Sequence, residues 1–336
     1  MNLPRNTCQW KLSGTETFRL SSTALLGKWG TNLTNIEKSM RSLYWADDGK
    51  ILVQVDQSGA EALIVAWEAP LGKFRDLFLH GVKPHVFVAM QVFLDTWRLR
   101  CKDIDLELFR SAPIAELKKL EGWKELDTLI KSSDNWSAQE RYYYIAKMIC
   151  HASNYGMKAA AFQLNVLEKS RGKISLTKQQ AEKYLADYHC LFPEIHAWHR
   201  AIEQQLRAGS TLWNLQGFPR LFTGPITDKS LKEAYAFVPQ STVGCITHLA
   251  ITHMQRFIEL ERLDWDVLGN NHDSYLLQCP SGQEITCAKK MKELIEQELT
   301  SSRGEKFRMR SEAQVGRNWG PYKQGKNEEG LKEVLL

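Results

Sequence analysis

Two aspartates, Asp56 and Asp273, each stand at the end of a short apolar run. A pair of carboxylates brought from distant strands to one place is the arrangement that holds divalent cations, because hard oxygen ligands suit hard ions. Ile51–Val55 is rich in β-branched residues and leads straight into Asp56, while Trp265–Leu268 and Tyr275–Cys279 flank the turn-rich sequence GNNHDS. That pattern predicts a β-hairpin with Asp273 at or beside its tip. Strand-end aspartates also cap helices, so the pair by itself leaves a structural role open. A third constellation lies in Arg141–Asn154, where Lys147, His151 and Tyr155 follow at i, i+4 and i+8 and share one helix face, with Gly156 just beyond. Between Lys147 and Lys173 five basic residues stand against one acid. Such a stripe can receive a polyphosphate, and a solvated basic face is the alternative.

The elements that must position these residues follow from local pattern. Asp56 is followed by Ser58, Gly59 and the helix-favouring AEALIVAWEA, which predicts strand, tight turn, helix. From about Pro70 to Leu231 the periodicity is mostly helical, with breaks at Ser132–Asn135 and Gly209. The last eleven residues, KNEEGLKEVLL, predict a short charged tail helix. A chain of 336 residues is long enough for about two domains. Its 43% hydrophobic and 25% charged residues exclude collagen-like, low-complexity and wholly disordered classes. A formal charge of +5 permits a polyanionic partner without requiring one. The seven cysteines are scattered and never in CxxC spacing, which supports neither a disulfide framework nor a zinc ribbon and points to a reducing compartment. No signal-peptide core and no membrane-length apolar run is visible, so the expected location is cytoplasmic.

Three segments resemble the motifs of family A DNA polymerases, the bacterial DNA polymerase I and phage replicative type. DQSGAEAL, Asp56–Leu63, resembles motif A, in which an Asp is followed five residues later by a Glu, here Glu61. KMICHASNYGM, Lys147–Met157, resembles motif B of the fingers helix, with Lys147, His151, Tyr155 and Gly156 in its places. NNHDSYLLQC, Asn270–Cys279, resembles motif C, in which His272 and Asp273 occupy the hairpin turn. Lesser blocks follow in the same order: TETFRLSS and TNLTNIE, KPHVF with His85, QGFPRLF, and KEAYAFVPQST at Lys232–Thr242.

The resemblance implies an α+β right-hand architecture, with an antiparallel-sheet palm at 1–68 and 219–336 and helical fingers inserted at 69–218. It implies two Mg²⁺ ions on Asp56 and Asp273, with the Gln57 carbonyl a further ligand. Lys147 would act on the triphosphate, and Glu61, His85, His151, Tyr155 and Gln57 would bind the incoming dNTP. Glu61 beneath the sugar would exclude a 2′-hydroxyl. Arg19, Asn32, Asn35, Lys232, Gln240 and His272 fall where the family touches primer-template DNA. The implied reaction is DNA-templated addition of dNTPs to a primer 3′-hydroxyl; the alternative is a non-catalytic DNA-binding subunit of a replication complex. No membrane partner is implied.

Five departures from the pattern stand out. Tyr143 replaces the Arg that usually precedes the motif B lysine by four residues, and Arg141 lies about 240° around the helix from Lys147. Ser274 replaces the Glu that often follows His-Asp, and Phe18 stands where Gly is usual. Residues Cys101–Asn135 form a candidate inserted helical segment. Only about fourteen residues precede Thr15, which predicts a chain without thumb or exonuclease domain, the grip on DNA being weak or supplied by a separate chain.

Overall fold

The computed structural model describes residues 5–11, 14–24 and 30–336. They form two compact units, each built from several stretches of chain. One comprises Met1–Glu61, Trp213–Arg220 and Phe237–Leu336; the other comprises Ala62–Leu212 and Leu221–Ala236.

The first unit is organised on a five-stranded sheet of β1 (Lys50–Gln57), β2 (Asp266–Asn271), β3 (Ser274–Pro280), β4 (Ser311–Gly316) and β5 (Lys332–Val334), in the order β5-β4-β1-β3-β2. Every pairing is antiparallel. The β-branched run of β1 is central because both its edges are paired and both its faces are covered. Val53 and Val55 are wholly buried on one face with Tyr275 and Leu277, and the Tyr275 hydroxyl donates to the carbonyl of Met291 in the helix Glu284–Ile295, 2.7 Å away. Leu52 on the other face forms a small core with Trp319 and Leu331, which Ile36, Tyr44, Leu268 and Leu276 complete. Side chains alternate along a strand, so Asp56 shares the face of Leu52 and Gln54. The expected tail helix is absent. Lys332–Val334 instead pairs with β4 as an edge strand, and Leu331 is buried against Leu52 and Trp319. Backbone pairing to a distant strand outweighs the weak helical pattern of this charged segment.

The second unit is helical. Its centre is the helix Tyr142–Asn154, whose buried face of Ile145, Ala146, Met148, Ile149, Cys150, Ala152 and Ser153 packs against Pro84–Val92 and Lys178–Leu191. This helix stops in a Schellman arrangement. Met157 N–H donates to the Ala152 carbonyl at 2.9 Å and Gly156 N–H to the Ser153 carbonyl at 3.2 Å, with Gly156 at φ +65°. A Cβ on Gly156 would come within 2.8 Å of the Tyr235 ring, so the position requires glycine for both backbone and space. The segment between Cys101 and Asn135 contributes the helices Leu106–Ser111, Ile114–Leu117 and Trp123–Ser132 and a 3₁₀ turn, Ser133–Asn135. The 34-residue helix Asp228–Glu261 belongs to both units, and the division falls between Ala236 and Phe237, just ahead of Pro239, which lacks a donor for the helical ladder. Among the described residues no helix is long and apolar enough to cross a membrane.

Candidate active site

In the sheet unit, register places the two aspartates together. Asp56 pairs with Ser274 of β3 and with Glu312 of β4. Gln57 N–H donates to the Asp273 carbonyl at 3.0 Å. Asn271 pairs with Ser274, so His272 and Asp273 are the two residues of the hairpin turn, and His272 takes φ 62°. A positive φ at the first turn residue matches the twist of the flanking strands, and here it is met without glycine.

The charges at this site are unbalanced. Asp56 Oδ1 is buried and has no hydrogen-bond partner. Burial, then the neighbouring Asp273 and Glu312, push the Asp56 carboxyl up to about 7, against the opposing pull of Lys38 and Arg41. Asp273 is likewise raised, by burial first and also by Glu61, while a backbone hydrogen bond, Arg19 and His272 act the other way. Two adjacent carboxylates whose ionisation is disfavoured, one with an oxygen that accepts nothing, form a donor set that fits a divalent cation. The set is a pair: among the described residues no group of three or more His, Cys, Asp or Glu forms a metal-holding cluster.

Other expected residues gather around this pair. Arg19 and Glu61, far apart in sequence, form a half-buried ion pair. Phe18, in the place of the usual Gly, does adopt a left-handed backbone at φ 55°. Its ring packs on Phe218 and Phe237 at 5.6 and 6.1 Å, contacts that offset the strain. The Gln57 side chain lies on the opposite sheet face, where Nε2 donates to Thr247 Oγ1 at 2.7 Å, so only its backbone adjoins Asp273. Asn32 caps the 3₁₀ turn Leu33–Asn35, its Oδ1 accepting from Thr34 Oγ1 at 2.6 Å and Ser22 Oγ at 2.7 Å. Asn35 is exposed, and Gln240 is partly exposed on the long helix beside Pro239.

The helical unit carries the other expected set. Lys147 and His151 present accessible side chains, whereas Tyr155, the last residue of the stripe, is 8% exposed and holds the C-cap, its ring 4.9 Å from that of His151. Lys147 Nζ lies 4.0 Å from the centre of the Tyr143 ring, so the residue that replaces the usual Arg supports Lys147 through a cation–π contact. His85, at the start of the helix Pro84–Val92, packs edge-on to Tyr143 at 6.1 Å. Burial, then Lys147, Lys83 and His151, lower His85 to about 4, which keeps its imidazole neutral at pH 7. Lys232 lies in the first turns of the long helix, where the hydrogen bond and charge of Lys158 first, and Lys232 after them, hold the Asp228 carboxyl below its usual range.

Comparison with known proteins gives the family. The sequence model of DNA polymerase family A matches residues 127–321, more than half of the chain. The chain belongs to DNA polymerase family A. The matched span includes Lys147, Tyr155 and Asp273; Asp56 and Glu61 lie ahead of it. Of 131 solved chains that resemble this family A chain, one is the POL domain of Pol1 from M. smegmatis in complex with DNA primer-template and dNTP. It superposes with a TM-score of 0.66 at 17% identity, over 93% of this chain and 47% of that one. The chain thus spans about half the length of this solved relative, and the likeness is one of fold. A search of curated proteins found no match.

Sequence reasoning overlooked four charged residues of this family A chain. Lys38, Arg41 and Glu312 act on Asp56, and Asp134 lies against Lys147. Glu312 does carry a local signal, since it alternates with apolar residues in an extended pattern, but nothing local names the strand opposite.

Proposed function

We propose that the chain is the core of a DNA-templated DNA polymerase that adds deoxynucleoside triphosphates to a primer 3′-hydroxyl. The unit with the sheet would serve as palm and the unit with the Tyr142–Asn154 helix as fingers. The observation that carries this reading is the buried, unpartnered Oδ1 of Asp56 beside a second raised carboxyl, in a chain of DNA polymerase family A. Primer-template and dNTP are the ligands named for the M. smegmatis relative, and we assign the same classes here.

Asp56 and Asp273, with the Gln57 carbonyl, would hold two magnesium ions, which when bound make the 3′-hydroxyl a better nucleophile and neutralise the departing pyrophosphate. Lys147 would bind the triphosphate and meet the charge that builds on the leaving group. His151 and Tyr155 would pack against the nucleotide, and neutral His85 would offer a hydrogen bond to phosphate rather than a charge. Glu61 would lie beneath the sugar and exclude a 2′-hydroxyl, held in place by Arg19. Arg19, Asn32, Asn35, Lys232, Gln240 and His272 would contact primer-template without reading base identity.

Primer extension tests the reading: the purified chain, a primed DNA template, dNTPs and Mg²⁺. The wild type should extend the primer, Asp273→Ala should abolish extension with an unchanged circular-dichroism spectrum, and Glu61→Ala should admit ribonucleotides more readily. Near-normal extension by Asp273→Ala would remove the metal-ligand assignment. No extension by the wild type would leave the non-catalytic DNA-binding reading.

A further inference from the structure

Lys147 is already engaged by a carboxylate. Asp134 Oδ2 lies 3.2 Å from Lys147 Nζ, while its Oδ1 is buried with no hydrogen-bond partner. Asp134 comes from the 3₁₀ turn Ser133–Asn135 that follows the helix Trp123–Ser132. The turn is fastened to the helix of Lys147: the wholly buried Ser133 accepts from the Tyr143 N–H at 3.0 Å and donates to the Ile130 carbonyl at 2.6 Å. Tyr143 belongs to the first turn of Tyr142–Asn154, where helix N–H groups lack intrahelical acceptors, so this bond fixes the turn at a defined height along the helix.

The contact itself is easily displaced. At 3.2 Å it is longer than the usual charge-assisted N–H···O separation, and both side chains reach solvent, Lys147 at 42% and Asp134 at 30% exposure. A carboxylate beside a phosphate-binding lysine also repels any incoming anion, and the cation that usually reinforces that lysine is here the uncharged ring of Tyr143. We propose that Asp134 is a positioning residue that holds the Lys147 ammonium until a triphosphate displaces it, and so sets the affinity of the chain for polyphosphate. This assigns a role to the segment between Cys101 and Asn135, and it rests on the reading of Lys147 as the triphosphate ligand. A triphosphate, with several negative charges, outcompetes one carboxylate, whereas a monophosphate competes poorly, so the contact favours nucleotides with the full polyphosphate tail.

Calorimetric titration of inorganic tripolyphosphate and of dATP into the full chain tests this, using Asp134→Asn, Asp134→Ser, Lys147→Ala and the double variant Asp134→Asn/Lys147→Ala, each checked for an intact thermal transition. Both Asp134 variants should bind about two- to fivefold more tightly than the wild type, the range expected for releasing a partly exposed ion pair. The gain should vanish in the Lys147→Ala background. A residue with only a structural role would weaken binding when replaced, so tightening is the distinguishing readout. Unchanged or weaker binding by both Asp134 variants overturns the proposal, as does an equal gain without Lys147. If Lys147→Ala alone leaves affinity unchanged, it is the triphosphate role of Lys147 that fails.

Discussion

At Asp56, burial and two neighbouring carboxylates push in one direction, and the carboxyl titrates at about 7 instead of 3.8. The unfolded chain releases this proton near pH 4, and the folded chain holds it until about pH 7. Between those values the folded state binds more protons, so the Asp56 contribution is most favourable below about pH 4 and is lost as pH rises through 7. Without metal, Asp56→Asn should therefore melt above the wild type at pH 8, with the gap narrowing toward pH 4. Added Mg²⁺ should raise the wild-type melting temperature and leave that of Asp56→Asn nearly unchanged. A gap that stays constant from pH 4 to 8 would show that the carboxyl is not strained by its surroundings. The same residues illustrate what is legible locally. Asp56 and Asp273 are legible from type and position, Glu61, Arg19 and His272 from the motifs they resemble, and in the sheet unit Asp273 links Asp56 to the interacting set of Glu61, Arg19 and His272. Glu312 is not legible in this way, because its influence depends on which strand lies beside β1.

Among the elements, the Tyr142–Asn154 helix shows how one glycine serves two demands. Gly156 ends the helix at φ +65° and leaves room for the Tyr235 ring, which itself stacks on His199 at 4.0 Å. Gly156→Ala should destabilise the protein by about 1–3 kcal/mol, from left-handed strain plus displacement of the ring. Urea denaturation measures it, and a change near zero would mean that the backbone relaxes freely there. The strand ending in Asp56, the hairpin of Asp273 and the motif B helix were all legible, since periods of 2 and 3.6 and the turn residues are written in consecutive positions. Residues 326–336 depart from the expected helix for the converse reason. Their charged pattern resembles a helix, yet the free energy that decides them comes from hydrogen bonds to β4 and from burial of Leu331.

On the scale of the whole molecule, the helical unit is not one continuous stretch of chain. Leu221–Ala236 returns to it and supplies Tyr235, whose hydroxyl donates to Glu203 at 2.6 Å and whose ring covers Gly156. A fragment spanning 62–236 should unfold cooperatively, whereas 62–212 should be less stable by about 2 kcal/mol or more, the loss expected from removing a buried aromatic side chain. Thermal melts of the two fragments compare them directly, and equal stability would mean that the returning segment only decorates a unit already complete.

Residue types able to hold a metal or meet a triphosphate, and the turn, strand and helix that carry each one, are legible along the chain, because those depend on neighbours within a few positions. That Asp273 and Glu312 raise Asp56, that Arg19 pairs with Glu61, and that Asp134 engages Lys147 follows from the three-dimensional fold alone. Coulombic and desolvation energies depend on distance through space and on burial, and neither is set until the chain has folded.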